Sequence, residues 1–318
     1  MSAQSGITDF SHGISAIDSG YVRPVFDAIH LIEEEGRAAL VDTGTSHSLR
    51  GVLAALHQKG LSIESVDWVI LSHIHLDHAG GAGAMMAAFP RARLVVHPRG
   101  ARHMADPRVL VQGATAVYGE AAMKRLYGEI VPVAAERIVE ATHGMTLKLA
   151  GREFLFLDAP GHARHHLCMV DSRTGHVFCG DTFGLSYREL DRDGRQFVFP
   201  SCAPVQFDPD AFHRTLDMIT GYQPEAVYVT HYSQLQDVVR LAADMHRLVD
   251  AFAAIGLRHA APGPSRQAAL GEAMSALALE EGRRQGWRGD EKTWGRLLGP
   301  DLELNAQGLE SWLDSRAR

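Results

Sequence analysis

Short apolar runs alternate with helical patterns along most of the chain. Residues 26–32 and 38–41 read as paired strands, because both are dominated by apolar positions and a polar Glu33-Glu34-Glu35-Gly36-Arg37 stretch separates them. Ser46 caps a predicted helix running to about Gln58, and Gly60 ends it. Strands follow at 66–71 and 92–96, with a short helix at 80–88 between them. Residues 99–125 carry a helical pattern interrupted by Pro107 and Gly113. Two hairpins come next: 145–149 with 153–157 around Ala150-Gly151, and 166–170 with 176–179. A last strand at 226–229 precedes a helix over 234–254. This order predicts an α/β fold, an αββα sandwich of two mixed β-sheets flanked by helices. A Pro/Gly break at 261–265 opens a C-terminal helical extension that Pro300 interrupts. The expected division is therefore a main domain at 1–260 and an extension at 261–318.

Composition sharpens this picture by exclusion. With 318 residues, 46% of them hydrophobic, the chain can build a sizeable core. No apolar run approaches the roughly eighteen residues of a membrane span, so no membrane association is expected. Residues 1–11 are polar and lack the basic start and apolar run of a secretory signal. Cys168, Cys179 and Cys202 are odd in number and show no CxxC spacing, which argues against a disulfide framework or a zinc knuckle. A cytoplasmic location is the expectation. The net charge of −7, with no clustered Lys/Arg stripe, disfavours nucleic acid as a partner and leaves a small-molecule substrate.

The candidate chemistry sits in the run His73-Ile74-His75-Leu76-Asp77-His78, directly after an apolar strand. Residues two apart on an extended segment share a side, so His73 and His75 can face one cation. Asp77 and His78 follow the turn and can face a second. Burying such a set without a cation would require partners for every imidazole and for the carboxylate. Four other polar residues stand just beyond apolar runs: Asp42, His162, Asp181 and His231. Strand ends at one sheet edge converge, and loops there carry sites. The expected arrangement is His73, His75 and His162 on one cation, Asp77, His78 and His231 on the other, and Asp181 bridging. Imidazole and carboxylate ligands suit two divalent cations, Zn²⁺ foremost, with Fe or Mn compatible. Asp42 is expected to orient a histidine or the loop rather than to bind metal.

The motifs LVDTGT (40–45), HIHLDH (73–78), PGH (160–162), GDT (180–182) and THY (230–232) resemble the metallo-β-lactamase superfamily in order and spacing. The ligand set is similar to that of glyoxalase II, the lactonases and the phosphotriester-cleaving members. The resemblance implies a dinuclear metallohydrolase, in which two cations about 3.5–4 Å apart acidify a bridging water. The resulting hydroxide would attack a thioester, lactone, aryl ester or phosphotriester. It also implies that Asp77 is both ligand and proton carrier, and that His166 matches the second histidine of a GHxxGH pattern. Gly184 stands where the lactonases carry a tyrosine, so no side chain is an evident general acid. Tyr187 and Phe183, in the long segment between two ligands, are candidates for a substrate pocket. The alternative readings are an iron-dependent persulfide oxygenase built on a similar core, and a non-catalytic metal-binding protein. His165 reads as incidental, His97 and His176 as satisfied in or beside strands, and the other histidines, His30, His213 and His246 among them, as surface or capping residues. The C-terminal helices are expected to cover the site or to pair two copies as a homodimer.

Overall fold

The first sheet begins with a hairpin that is not among the strands read from the sequence; its first strand has three residues, too few for alternation to register. β1 (Ile7–Asp9) pairs antiparallel with β2 (Ile14–Asp18) in the protein's computed structural model. The structure describes residues 6–202 and 205–316. The first five residues of the polar N-terminal stretch, together with Ala203, Pro204 and the last two residues, lie outside it.

β3 (Ala28–Glu34) and β4 (Arg37–Val41) form the predicted antiparallel pair. β5 (Val66–Ile70), β6 (Arg93–Val96) and β7 (Ile138–Glu140) then add in parallel, which gives a seven-stranded mixed sheet in sequence order. The second sheet has six strands in the order β13-β12-β11-β10-β9-β8. Its members are β8 (Thr146–Leu149), β9 (Arg152–Asp158), β10 (Leu167–Asp171), β11 (Val177–Gly180), β12 (Val227–Val229) and β13 (Ser233–Leu235). Facing residues of the two sheets form one apolar layer. Ile32, Val41 and Ile70 of the first sheet pack in a cluster with Phe154, Phe156 and Phe178 of the second. The opposite face of the first sheet packs Leu31, Leu40 and Val69 against Val52, Met85 and Met104, which lie on helices. The αββα sandwich expected from the sequence is the architecture observed.

The helices before β7 are α1 (Leu49–Gln58), α2 (Leu76–Ala79), α3 (Ala82–Ala88), α4 (Pro98–Ala105), α5 (Arg108–Tyr118) and α6 (Glu120–Tyr127). Pro107 separates α4 from α5 as expected, but Gly113 does not break α5. A mid-helix glycine costs only about 1 kcal/mol relative to alanine. The second break is at Gly119, whose φ of 79° is outside the helical region. The later helices are α7 (Pro209–Gly221), α8 (Val238–Arg258), α9 (Arg266–Arg284) and α10 (Glu291–Arg316). The helix predicted from residue 234 starts later because β13 comes first, and Asp237 turns the chain with φ 55°. Pro300 does not interrupt α10. Leu297, Leu298 and Leu302 are buried on either side of it, so tertiary packing overrides the missing hydrogen bond.

Two compact units interleave along the chain. One comprises residues 1–158, 165–180 and 227–234, and contains nearly all of both sheets. The other comprises residues 159–164, 181–226 and 235–318. Within the second unit α9 packs on α10 and α7 on α8. Its core includes Phe197 edge-on to Trp294, and Arg266 ties α9 to Glu310 and Asp314 of α10. Asn305 of α10 accepts from the Cys202 amide at 2.6 Å and donates to the Pro200 carbonyl, which fixes the 200–202 segment. Among the described residues no helix is long and apolar enough to cross a membrane.

Candidate metal centre

The site of the first unit is built at the carboxyl ends of its parallel strands. Val41 of β4 is in register with Ile70 of β5, so the residues that follow them emerge side by side. Asp42, immediately after β4, turns into the left-handed region with φ 61°, which aspartate tolerates better than most residues. Its carboxylate, buried at 1% exposure, accepts four hydrogen bonds. The donors are the Ser72 amide (2.7 Å), the Ser72 hydroxyl (2.8 Å), His78 Nδ1 (2.9 Å) and the Thr230 hydroxyl (2.7 Å).

Those bonds decide which nitrogen each histidine presents. His78 spends Nδ1 on Asp42, so Nε2 is the atom that could ligate a cation. His73 Nδ1 lies 3.1 Å from the Ser72 hydroxyl, whose own proton goes to Asp42. Ser72 therefore accepts from His73, and His73 also presents Nε2. His231 donates Nδ1–H to the Phe26 carbonyl at 3.0 Å, with the same consequence. Outer partners that fix tautomer and ring orientation are the usual support of a metal-binding histidine.

Local structure then brings the ligating atoms together. His75 caps α2, and the Thr43 amide and hydroxyl both hold the His78 carbonyl, which docks that short helix against the loop after β4. Asp77 Oδ2 lies 3.6 Å from His78 Nε2 and 3.5 Å from His231 Nε2, and the three ligand atoms lie within 4.8 Å of one another. A tetrahedral cation with ligands at about 2.1 Å has ligand–ligand edges of roughly 3.4 Å, so these three donors fit one. His73 Nε2 and His75 Nδ1 face each other at 2.8 Å. The His166 ring stacks on His73 at 4.9 Å and 22°. His165, which reads as incidental in the sequence, packs edge-on against His75 at 5.5 Å and parallel to His73 at 6.1 Å. Gly180 leaves no space for a side chain here. A Cβ would stand 2.5 Å from His166 Nε2 and 2.6 Å from Ser72 Cβ, and φ is 49°.

In the second unit the other two expected ligands meet. His162 donates Nδ1–H to the Ser201 carbonyl at 3.0 Å, and its Nε2 lies 3.6 Å from Asp181 Oδ2. Gly161 precedes it with φ 136°, and a Cβ there would come within 2.5 Å of the Phe212 backbone. Phe183 and Tyr187 have no exposed surface, and the Tyr187 phenol donates to Asp301 at 2.9 Å. As placed, neither presents a face to a ligand. Burial pushes the Cys202 thiol far up, consistent with an inert residue.

Several residues of the site escape sequence reasoning. Ser72 and Thr230 sit beside recognised ligands, but nothing in their spacing marks them as carboxylate donors. Asp27 is fully buried, neither of its oxygens has a hydrogen-bond partner among the described residues, and burial raises its carboxyl to about 7. Its only sequence signal is a charge inside an apolar strand. His30 corrects the surface reading. It is buried in β3, its Nε2 lies 3.3 Å from the Ser233 hydroxyl, and burial lowers its pKa to about 4.

Comparison with known proteins agrees with this geometry. The model of the metallo-beta-lactamase superfamily matches residues 22–231. A hydroxyacylglutathione hydrolase of Xanthomonas euvesicatoria is 31% identical over 189 residues, which are 58% of this chain and 55% of that protein. The chain thus spans about half the length of that relative. Among solved structures, the archaeal superfamily protein ST1585 of Sulfolobus tokodaii superposes with a TM-score of 0.65 at 18% identity. That match covers 94% of this chain and 99% of the other. A metallo-beta-lactamase family protein of Thermus thermophilus, TTHA1429, gives 0.67 at 19% identity, covering 96% and 94%. The family model spans well over half of the sequence, and the chain belongs to the metallo-beta-lactamase superfamily.

Proposed function

We propose that the protein is a metal-dependent hydrolase of ester-like substrates: thioesters, lactones, aryl esters or phosphotriesters. The observation that carries this reading is the triangle of Asp77, His78 and His231, whose candidate ligand atoms converge while the Nδ1 atoms of both histidines are tied to the fold. This donor set fits a divalent cation, Zn²⁺ foremost, with Fe or Mn compatible. His73 and His75 would hold a second cation with His162, and Asp181 would lie between the two. The parts given to His162 and Asp181 rest on their order in the family's motifs. Bound cations supply an acidified water and a positive charge for the oxygen that gains electrons.

The chain's own residues do the rest. Asp42 holds His78 directly and His73 through Ser72, so the ligating nitrogens keep their direction. Asp77, a quarter exposed at its side chain, is the carboxylate that can carry a proton between the site and solvent. A glycine at 184, where the lactonases carry a tyrosine, suits substrates with good leaving groups best. The relationship to hydroxyacylglutathione hydrolases supports thioesters as the first class to assay.

The test is a panel of a glutathione thioester, a homoserine lactone, an aryl ester and a phosphotriester on metal-quantified protein, with Asp77→Asn as control. Hydrolysis of at least one class, lost by a factor of about 100 or more in the variant, is expected. Oxygen consumption with a persulfide and no hydrolysis would contradict the reading.

A further inference from the structure

A string of aromatic rings leads from the candidate centre to the surface of the first unit. Phe26 meets the His231 ring edge-on at 5.2 Å, and Tyr21 packs on Phe26 at 5.8 Å. Tyr21 stacks on Tyr127 at 5.5 Å and 28°, with the two hydroxyls 2.8 Å apart. Tyr118 packs on Tyr127 at 6.1 Å. The inner members, Phe26 and Tyr127, are buried, whereas Tyr21 is half-buried and Tyr118 is 37% exposed. Tyr127 shares an apolar cluster with Leu76, the residue before Asp77.

Three phenols are gathered where the Asp77 carboxylate acts on each of them. Burial first, and Asp77 second, push all three hydroxyls above the ordinary range for tyrosine. The Tyr21 and Tyr127 hydroxyls are spent on each other, so what this group offers is the flat apolar faces of its rings, a short way from His231 through Phe26. Such a surface favours a planar aromatic group.

We propose that Tyr21 and Tyr118, backed by Phe26 and Tyr127, form a specificity wall that takes an aromatic group of the substrate. This inference rests on the hydrolase reading for its location, and it narrows the substrate class to esters with an aryl substituent.

The test compares phenyl acetate with hexafluoroisopropyl acetate, whose leaving groups are of similar acidity, on the metal-loaded wild type and on Tyr21→Ala, Tyr21→Phe and Tyr118→Ala. Tyr118 is exposed enough that its variant should fold. Both alanine variants are expected to raise KM for phenyl acetate about tenfold, with kcat and the alkyl ester little changed, while Tyr21→Phe stays near wild type. In parallel, phenol is titrated into wild type and Tyr21→Ala, and the tyrosine ring resonances are followed by NMR. Saturable shifts in wild type that vanish in the variant are expected. If phenol binds in this way but neither ester nor any member of the four-class panel is hydrolysed, the hydrolase reading falls and the wall stands. If both esters are hydrolysed without discrimination and phenol does not bind, the wall is refuted.

Discussion

Asp42 Oδ2 accepts a hydrogen bond from His78 Nδ1 at 2.9 Å, and the same carboxylate reaches His73 through the Ser72 hydroxyl. One buried charge thus orients ligands assigned to both cations. Its four donors engage both oxygens, one on Oδ1 and three on Oδ2, and an amide could not replace it, because its NH₂ would face another donor.

Asp42→Asn and Asp42→Ala are therefore both expected to weaken Zn²⁺ binding about 10–100-fold. A competition titration against a chromophoric chelator measures this, with circular dichroism to verify that the variants remain folded. Unchanged affinity in a folded Asp42→Ala would remove the carboxylate from the metal centre.

Stability of the metal-free protein should depend on His30. Its folded pKa is about 4, lowered by burial from 6.5. Between those values the unfolded chain takes up a proton that the folded protein refuses, so this residue costs stability as pH falls from 6.5 towards 4. The loss amounts to at most about 3 kcal/mol. Urea unfolding at pH 7.5 and pH 5 should show a smaller difference for His30→Gln than for wild type. Equal differences would mean that His30 titrates normally.

Tyr187→Phe removes the hydrogen bond to Asp301 but keeps the ring. We expect a loss of about 1–2 kcal/mol, read as a lower Tm, with hydrolysis changed less than about twofold. A large drop in kcat without a change in Tm would contradict this structural role.

Gly180→Ala places a methyl group against Ser72 and His166 at a left-handed backbone. The conformation alone costs about 1–2 kcal/mol, and the collision adds to it. A folded variant should also bind less metal, because Ser72 carries the link from His73 to Asp42. Normal Tm and metal content would contradict this crowding.

Much of this was legible in the sequence, for physical reasons. Strands such as β3, β4 and β9 are long enough to show their apolar faces, and the ligands follow strand ends at fixed spacings. Elements of three residues, β1, β7 and β13, leave no periodicity to read. Pro300 misleads because local propensity is silent about packing against α9. Within the centre, the candidate ligands appear as motifs, but Ser72, Thr230 and Asp27 become meaningful only when β3, β4, β5 and β12 are placed together. The tyrosine wall draws Tyr21 and Tyr127 from positions far apart in the chain, a juxtaposition that no single-sequence pattern contains.

The most direct test of the two-cation account is the metal-to-protein ratio, measured by plasma mass spectrometry after equilibrium dialysis against Zn²⁺. His231 belongs to only one of the two proposed ligand sets. Wild type should retain two metals per chain and His231→Ala one, with hydrolysis lost in the variant. A ratio of one in both proteins, with hydrolysis intact in His231→Ala, would contradict it.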